Sequence, residues 1–201
     1  MFKKLKLKKI IIGLTISLPA LAMPLNAFAA TDSKNTTINA VISSVISMTT
    51  TSTVAINVTP VSGGSQTSAS DTVTVSTNNA TGFDLTLANN DATRSLVNGA
   101  NSIAAHTGTK AAPTALANNS WGYAVGGLGT FDGSYSIITN ANSSSTKWAG
   151  VPASGSPDNI RSTTTTAAAD VTTVWYSIKA DTTKPNGTYT DVVTYTATTK
   201  L

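Results

Sequence analysis

Residues 171–198, VTTVWYSIKADTTKPNGTYTDVVTYTAT, restrict the fold more than any other stretch of the chain. Val174, Tyr176, Ile178 and Ala180 alternate with Trp175, Ser177 and Lys179, the period of two that gives a strand two different faces. Further on, Tyr189, Val193, Tyr195 and Ala197 share one parity, and Thr188, Thr190, Thr194, Thr196 and Thr198 the other. Lys184, Pro185, Asn186 and Gly187 lie between the two arms, where proline presets φ and Asn-Gly tolerates positive φ, so the stretch predicts a hairpin. Asp191 carries core parity, which predicts a bulge or a sheet edge at that point. β-branched and aromatic residues suit a pleated, half-buried surface.

The start of the chain reads as an address. Lys3, Lys4, Lys6, Lys8 and Lys9 precede an apolar run from Ile10 to Leu25, followed by Ala27, Phe28 and Ala29, an A-x-A cleavage pattern. Pro19 and Pro24 interrupt a run that is short for a spanning helix, which favours a signal peptide of residues 1–29 over an uncleaved anchor. Of 201 residues, 172 then remain, enough for one domain with a substantial core. Five of the 13 basic residues leave with the leader, and the remaining eight face nine acids, all aspartate, for a net charge of −1. No basic stripe is left to displace counterions from phosphates, which excludes nucleic acid as a partner. With no cysteine the chain has no disulfides, no thiolate chemistry and no lipid-modified cysteine. The expected location is extracellular or cell-surface associated, with membrane contact only through the leader before cleavage.

Along the remaining chain, residues 30–53 read as an N-terminal segment with a first strand over 36–48 and a hinge at Thr49, Thr50, Thr51, Ser52 and Thr53; residues 54–201 read as the main domain. Val54, Ile56 and Val58 predict a strand ended by Pro60, and residues 62–70 a flexible Ser/Gly loop. Residues 71–77 and 82–88 are joined by Asn78, Asn79, Ala80, Thr81 and Gly82, which predicts a hairpin. Short strands near Leu96, around Ile103, at Trp121, Tyr123 and Val125, and over 134–139 complete the pattern, with residues 162–169 of low complexity. Short strands separated by turn residues predict an all-β fold, a single antiparallel β-sandwich of immunoglobulin-like or jelly-roll-like type. Its core is expected at Val54, Ile56, Val58, Val73, Val75, Phe83, Leu85, Leu87, Tyr123, Val125, Val174, Tyr176, Ile178, Val193 and Tyr195.

The ordered set DTVTVSTNNATGFDLTL (71–87), ANNSWGYAV (117–125), WAGVPASGSP (148–157) and VWYSIKADTTKPNGTYTDVVTYTAT (174–198) resembles secreted, threonine-rich surface proteins of small-genomed candidate-phyla bacteria, many of which live attached to host cells. The likeness covers most of the chain after the leader. It implies a cell-surface β-sandwich and supplies no activity. The ending GTYTDVVTYTAT is more distantly similar to the last strands of spore-coat and fimbrial sandwich subunits.

Residues able to do chemistry are few. The one histidine, His106, sits among small residues in AAHTGTK and reads as an exposed loop residue more readily than as a general base. No G-x-S-x-G elbow accompanies it, so a secreted hydrolase ranks third among the functions, and no catalytic residue or cofactor is assigned. For calcium, Asn89 and Asp91 form the compact oxygen cluster and Asp132 lies in FDGS; neither follows a known loop spacing, and turn chemistry accounts for both. Trp121, Trp148 and Trp175 offer either sugar-stacking platforms or core plugs, with Trp175 on the parity opposite Val174 and Tyr176.

The leading expectation is a non-enzymatic surface protein, structural or adhesive, in a fibre or coat; the rival is a monomeric carbohydrate-binding adhesin. The partners follow as other copies of the chain, or a host or cell-envelope surface. Ile38, Ala40, Ile42, Ile46 and Met48 share a parity and are the candidate assembly residues, able to complete a neighbour's sheet or, more simply, to form the first strand of their own.

Overall fold

The structure is a computed structural model and describes residues 30–131 and 146–201. The chain divides into two units, Met1–Val41 and Ile42–Leu201. In the first, residues 30–41 carry no regular structure and are exposed, with Lys34 paired to Asp32 at 3.0 Å.

The second unit is all-β, with no helix among the described residues. Nine strands run in chain order: β1 (Ile46–Thr49), β2 (Ser65–Thr77), β3 (Phe83–Asn89), β4 (Leu96–Asn98), β5 (Asn101–Ala105), β6 (Ser120–Val125), β7 (Asp158–Ser162), β8 (Ala167–Ala180) and β9 (Val193–Thr199). They form a six-stranded sheet, β1-β2-β8-β6-β5-β4, and a three-stranded sheet, β7-β3-β9. Residues of both sheets belong to one buried apolar cluster, among them Val73 and Val75 of β2, Phe83, Leu85 and Leu87 of β3, and Tyr123 and Val174 of β6 and β8. All pairings but one are antiparallel; β5 and β6 run parallel, Ala104 opposite Ser120, so the crossover after β5 departs from the expected wholly antiparallel fold.

Neither predicted hairpin forms, although the strands of both exist. β8 lies between β2 and β6 in the large sheet, while β9 pairs with β3 in the small one. The chain leaves β8 at Asp181, whose carboxylate accepts from the Thr183 hydroxyl at 2.5 Å and amide at 2.9 Å and from Asn118 at 2.6 Å. These bonds, the Thr183 hydroxyl first, hold the Asp181 carboxyl down at about 2. The turn therefore sits at the end of β8, and the Pro-Asn-Gly stretch belongs to a longer connection between sheets. Likewise β2 and β3 belong to different sheets, and the 78–82 link carries the chain across. Gly82 is required in that link: its φ is +85°, and a Cβ there would lie 2.4 Å from the Thr163 carbonyl oxygen.

Three further expectations change. Residues 65–70, read as part of a flexible loop, form the first half of β2, paired from Ser65 opposite Ala180 to Ser70 opposite Trp175; a long neighbouring strand overrides weak local propensity. Val54, Ile56 and Val58 keep alternating half-burial but join no ladder. Of the predicted first strand only Ile46–Met48 pairs, with β2, and the pairing runs on into Thr49 of the expected hinge. Asp191 needs no bulge, since half-burial alternates without a break from Tyr189 through Asp191, Val193 and Tyr195; it lies just before β9, outside any strand. A bulge appears elsewhere, at Ala169 in β8 (φ +56°), opposite Ser76, whose hydroxyl accepts its amide. The predicted strand over 134–139 lies outside the described residues.

Candidate functional site

A groove of about 760 Å³ opens in the second unit beside β9. The large sheet supplies Trp121, Tyr176 and Ile178 among others; β9 supplies Val193 and Tyr195; the unpaired stretch 50–58 and the connection 184–192 supply most of the rest. The rings of Trp121 and Tyr176 stack at 6.4 Å, and the Trp121 indole N–H donates to the Arg94 carbonyl at 3.0 Å, so both rings are fixed.

At the bottom of the groove is Asp71 of β2, 2% exposed. It shares parity with Val73 and Val75, and a buried carboxylate must find donors. It accepts from the Thr50 hydroxyl, from the Thr51 amide at 3.1 Å and from the Thr51 hydroxyl at 2.8 Å. Burial pushes the Asp71 pKa up, but these bonds outweigh it and leave the group below the ordinary carboxylate value. The hydroxyls of Tyr176 and Tyr195 meet at 2.7 Å. Burial first holds both phenols well above the usual tyrosine value, helped for Tyr195 by Tyr176 and then by the Asp71 charge, and for Tyr176 by the Asp71 charge against the opposing hydrogen bond with Tyr195. The residues expected to act as a hinge are thus pinned: Thr50 and Thr51 are tied to Asp71, which fixes the exit of β1.

The outer edge of β9, which meets the groove at Val193 and Tyr195, carries unused backbone groups. The Lys200 amide donates to the Gly82 carbonyl and the Asn90 amide to the Val192 carbonyl. With the register Phe83 opposite Thr199 to Asn89 opposite Val193, even-numbered residues of β9 exchange bonds with β3, and Val193, Tyr195, Ala197 and Thr199 turn their N–H and C=O groups away. No described strand pairs with that outer edge. Residues 52–58 line the same groove, extended, and make no backbone hydrogen bond to any described residue.

The tryptophans are buried: Trp121 is 3% exposed, Trp148 0% and Trp175 4%. Trp121 alone of the three lines the groove, and Trp148 is held by the Thr146 hydroxyl at 3.1 Å. Of the calcium candidates, Asn89 is 1% exposed, its amide donating to Asp191 at 2.7 Å and its carbonyl oxygen accepting from the Asp91 amide at 2.9 Å. The Asp91 carboxylate accepts from Thr93, and Asp132 lies outside the described residues. Among the described residues no group of three or more His, Cys, Asp or Glu converges as a metal site would require.

His106, expected on an exposed loop, is 4% exposed at the end of β5. Its Nδ1 accepts the Ala117 amide at 3.3 Å, which places the proton on Nε2, 2.8 Å from the Thr114 hydroxyl. Burial lowers its pKa. Glycines make the burial feasible, since a Cβ on Gly150 would meet the His106 carbonyl oxygen at 1.9 Å. The candidate assembly residues part company: Ile46 and Met48 pack against the core within β1, whereas Ile38 is 89% exposed and Ile42 85%, with Ala40 also exposed.

Comparison with protein-family models, with curated proteins and with solved structures gave no match.

Proposed function

We propose that the chain is an exported cell-surface protein whose second unit is a β-sandwich acting as a structural or adhesive module, a subunit of a surface fibre or coat. The observation that carries this reading is the pair of sheets sharing one apolar cluster, in a chain that begins with a Lys-rich, apolar leader pattern. Sheets that face one another across a common core are what a sandwich requires. Threonine-rich outer parities on β9 and a net charge near zero after the leader suit a protein that meets other surfaces more than nucleic acid or a charged metabolite. The reading assigns no catalytic residue and no cofactor. Cell fractionation with N-terminal sequencing tests it: protein beginning at Ala30 in the envelope or medium is the expected result, and a cytoplasmic pool of the uncleaved chain overturns it.

The groove favours a second reading, a glycan-binding adhesin, because Trp121, Tyr176, Tyr189 and Tyr195 there accompany Asp71 and Asn186, the mix of ring faces and polar groups that sugars bind. Tyr189 is half-buried in the connection to β9. A glycan array separates the readings: saturable binding lost in Tyr189→Ala supports the adhesin, and no binding to any glycan removes it.

A further inference from the structure

The segment before β1 has no ladder left to join. Ile46 pairs with Thr77, the last residue of β2, so no residue of β2 remains for anything earlier in the chain. The Asn78 side chain extends the pairing slightly, accepting from the Val45 amide at 2.8 Å and donating to the Ser43 carbonyl at 2.9 Å. Before Ser43, Ile38, Val41 and Ile42 stand 89%, 94% and 85% exposed. Large β-branched side chains in water are a standing cost, and burial of Ile38 and Ile42, which share a parity, against an apolar surface would remove part of it.

The groove has the complementary properties. Its lining includes Ile178, Val193 and Tyr195, and the outer edge of β9 presents unpaired N–H and C=O groups at four of its seven residues, Val193, Tyr195, Ala197 and Thr199. Residues 36–42 are also seven, with Ile38, Ala40 and Ile42 on one parity, so an added strand would turn one apolar face inward along the full edge. In the surface-subunit reading, contacts pass from one copy to the next. The acceptor is then another copy.

We infer that residues 36–42 of one copy enter the groove of a second and add a strand to the outer edge of β9. This rests on the surface-subunit reading and specifies how such subunits join: each copy gives a strand at one place and receives one at another, a heterologous contact that propagates as an open chain. Because β1 and the Thr50–Asp71 and Thr51–Asp71 bonds stay within each copy, only the segment before Ser43 moves between copies.

Light scattering of the full chain, exported and purified, against Ile38→Asp/Ile42→Asp tests the inference. Both positions are exposed, so the double variant leaves the fold intact. The wild-type chain is expected to grow in mass with concentration and the variant to stay monomeric. A synthetic peptide of residues 35–45 should bind the variant saturably, and Val193→Pro, which removes one outward N–H at the first position of an edge strand, should weaken that binding about tenfold or more. Circular dichroism reports whether Val193→Pro is folded; if it is not, unlabelled peptide competing for the labelled one serves in its place. Growth of the Asp variant equal to wild type overturns strand addition while leaving a fibre standing. A monomeric wild-type chain with no peptide binding overturns strand addition too, and fractionation then decides separately whether the protein reaches the surface.

Discussion

His106 shows how one residue can carry a pH response with no catalytic role. Its folded pKa is lowered, because burial disfavours the charged ring and Nδ1 is committed to the Ala117 amide. The unfolded chain therefore takes up a proton near pH 6.5 that the folded chain refuses, so the contribution to stability is full above about 6.5 and declines as the pH falls below it. As the chain has a single histidine, the unfolding free energy from urea titrations between about pH 6.5 and 5 should drop by at most about 1.4 kcal/mol per pH unit, and His106→Gln should flatten the slope. An unchanged slope in that variant would place the proton uptake elsewhere. Leu85 and Ile178 test the core in the same way. Leu85 is 0% exposed within the shared cluster, and Leu85→Ala should cost roughly 2–5 kcal/mol, whereas Ile178, half-buried on the groove, should cost less; equal losses would mean the groove is closed in solution.

At the scale of elements, alternation located most strands and their inward faces but not their partners; it missed β7 and placed at Val54, Ile56 and Val58 a strand that joins no ladder. Val73, Val75, Phe83, Leu85, Leu87, Tyr123, Val125, Val174 and Tyr176 are buried as their parity requires. Turn chemistry misled at both predicted hairpins, because Asn78 to Gly82 and Lys184 to Gly187 tell where a chain bends and not which sheet it enters next. Residues 65–70 were illegible for the reverse reason: their Ser-rich composition is weak, and pairing with β8 decides their state. Of the groove, the inward parity of Tyr176, Ile178, Val193 and Tyr195 was legible beforehand, but Asp71 was not singled out; Thr50, Thr51, Tyr176 and Tyr195 gather near it from distant positions that no local pattern connects. The crossing at Gly82 is open to direct test. Gly82→Ala combines a positive φ with a clash against the Thr163 carbonyl and should lower stability by about 1 kcal/mol or more, seen as a fall in Tm; a neutral result would show that the 78–82 link can relax.

For the whole molecule, buried phenols set the alkaline limit. Tyr123, Tyr176 and Tyr195 are all raised, each chiefly by burial, with Asp158 acting further on Tyr123, whose hydroxyl donates to it at 2.5 Å. The unfolded chain ionises near pH 10 while the folded chain keeps these protons, so their contribution is intact below pH 10 and is lost as pH rises beyond it. Tyrosinate absorbance should therefore rise together with the loss of β-sheet signal above about pH 10; phenols ionising in a still folded chain would contradict the buried network. On the proposed reading the molecule acts at the cell surface. Immunogold electron microscopy of intact, unpermeabilised cells tests it most directly: a surface module predicts gold on the cell exterior, in rows if the subunits join by strand addition, and label that appears only inside permeabilised cells would contradict it.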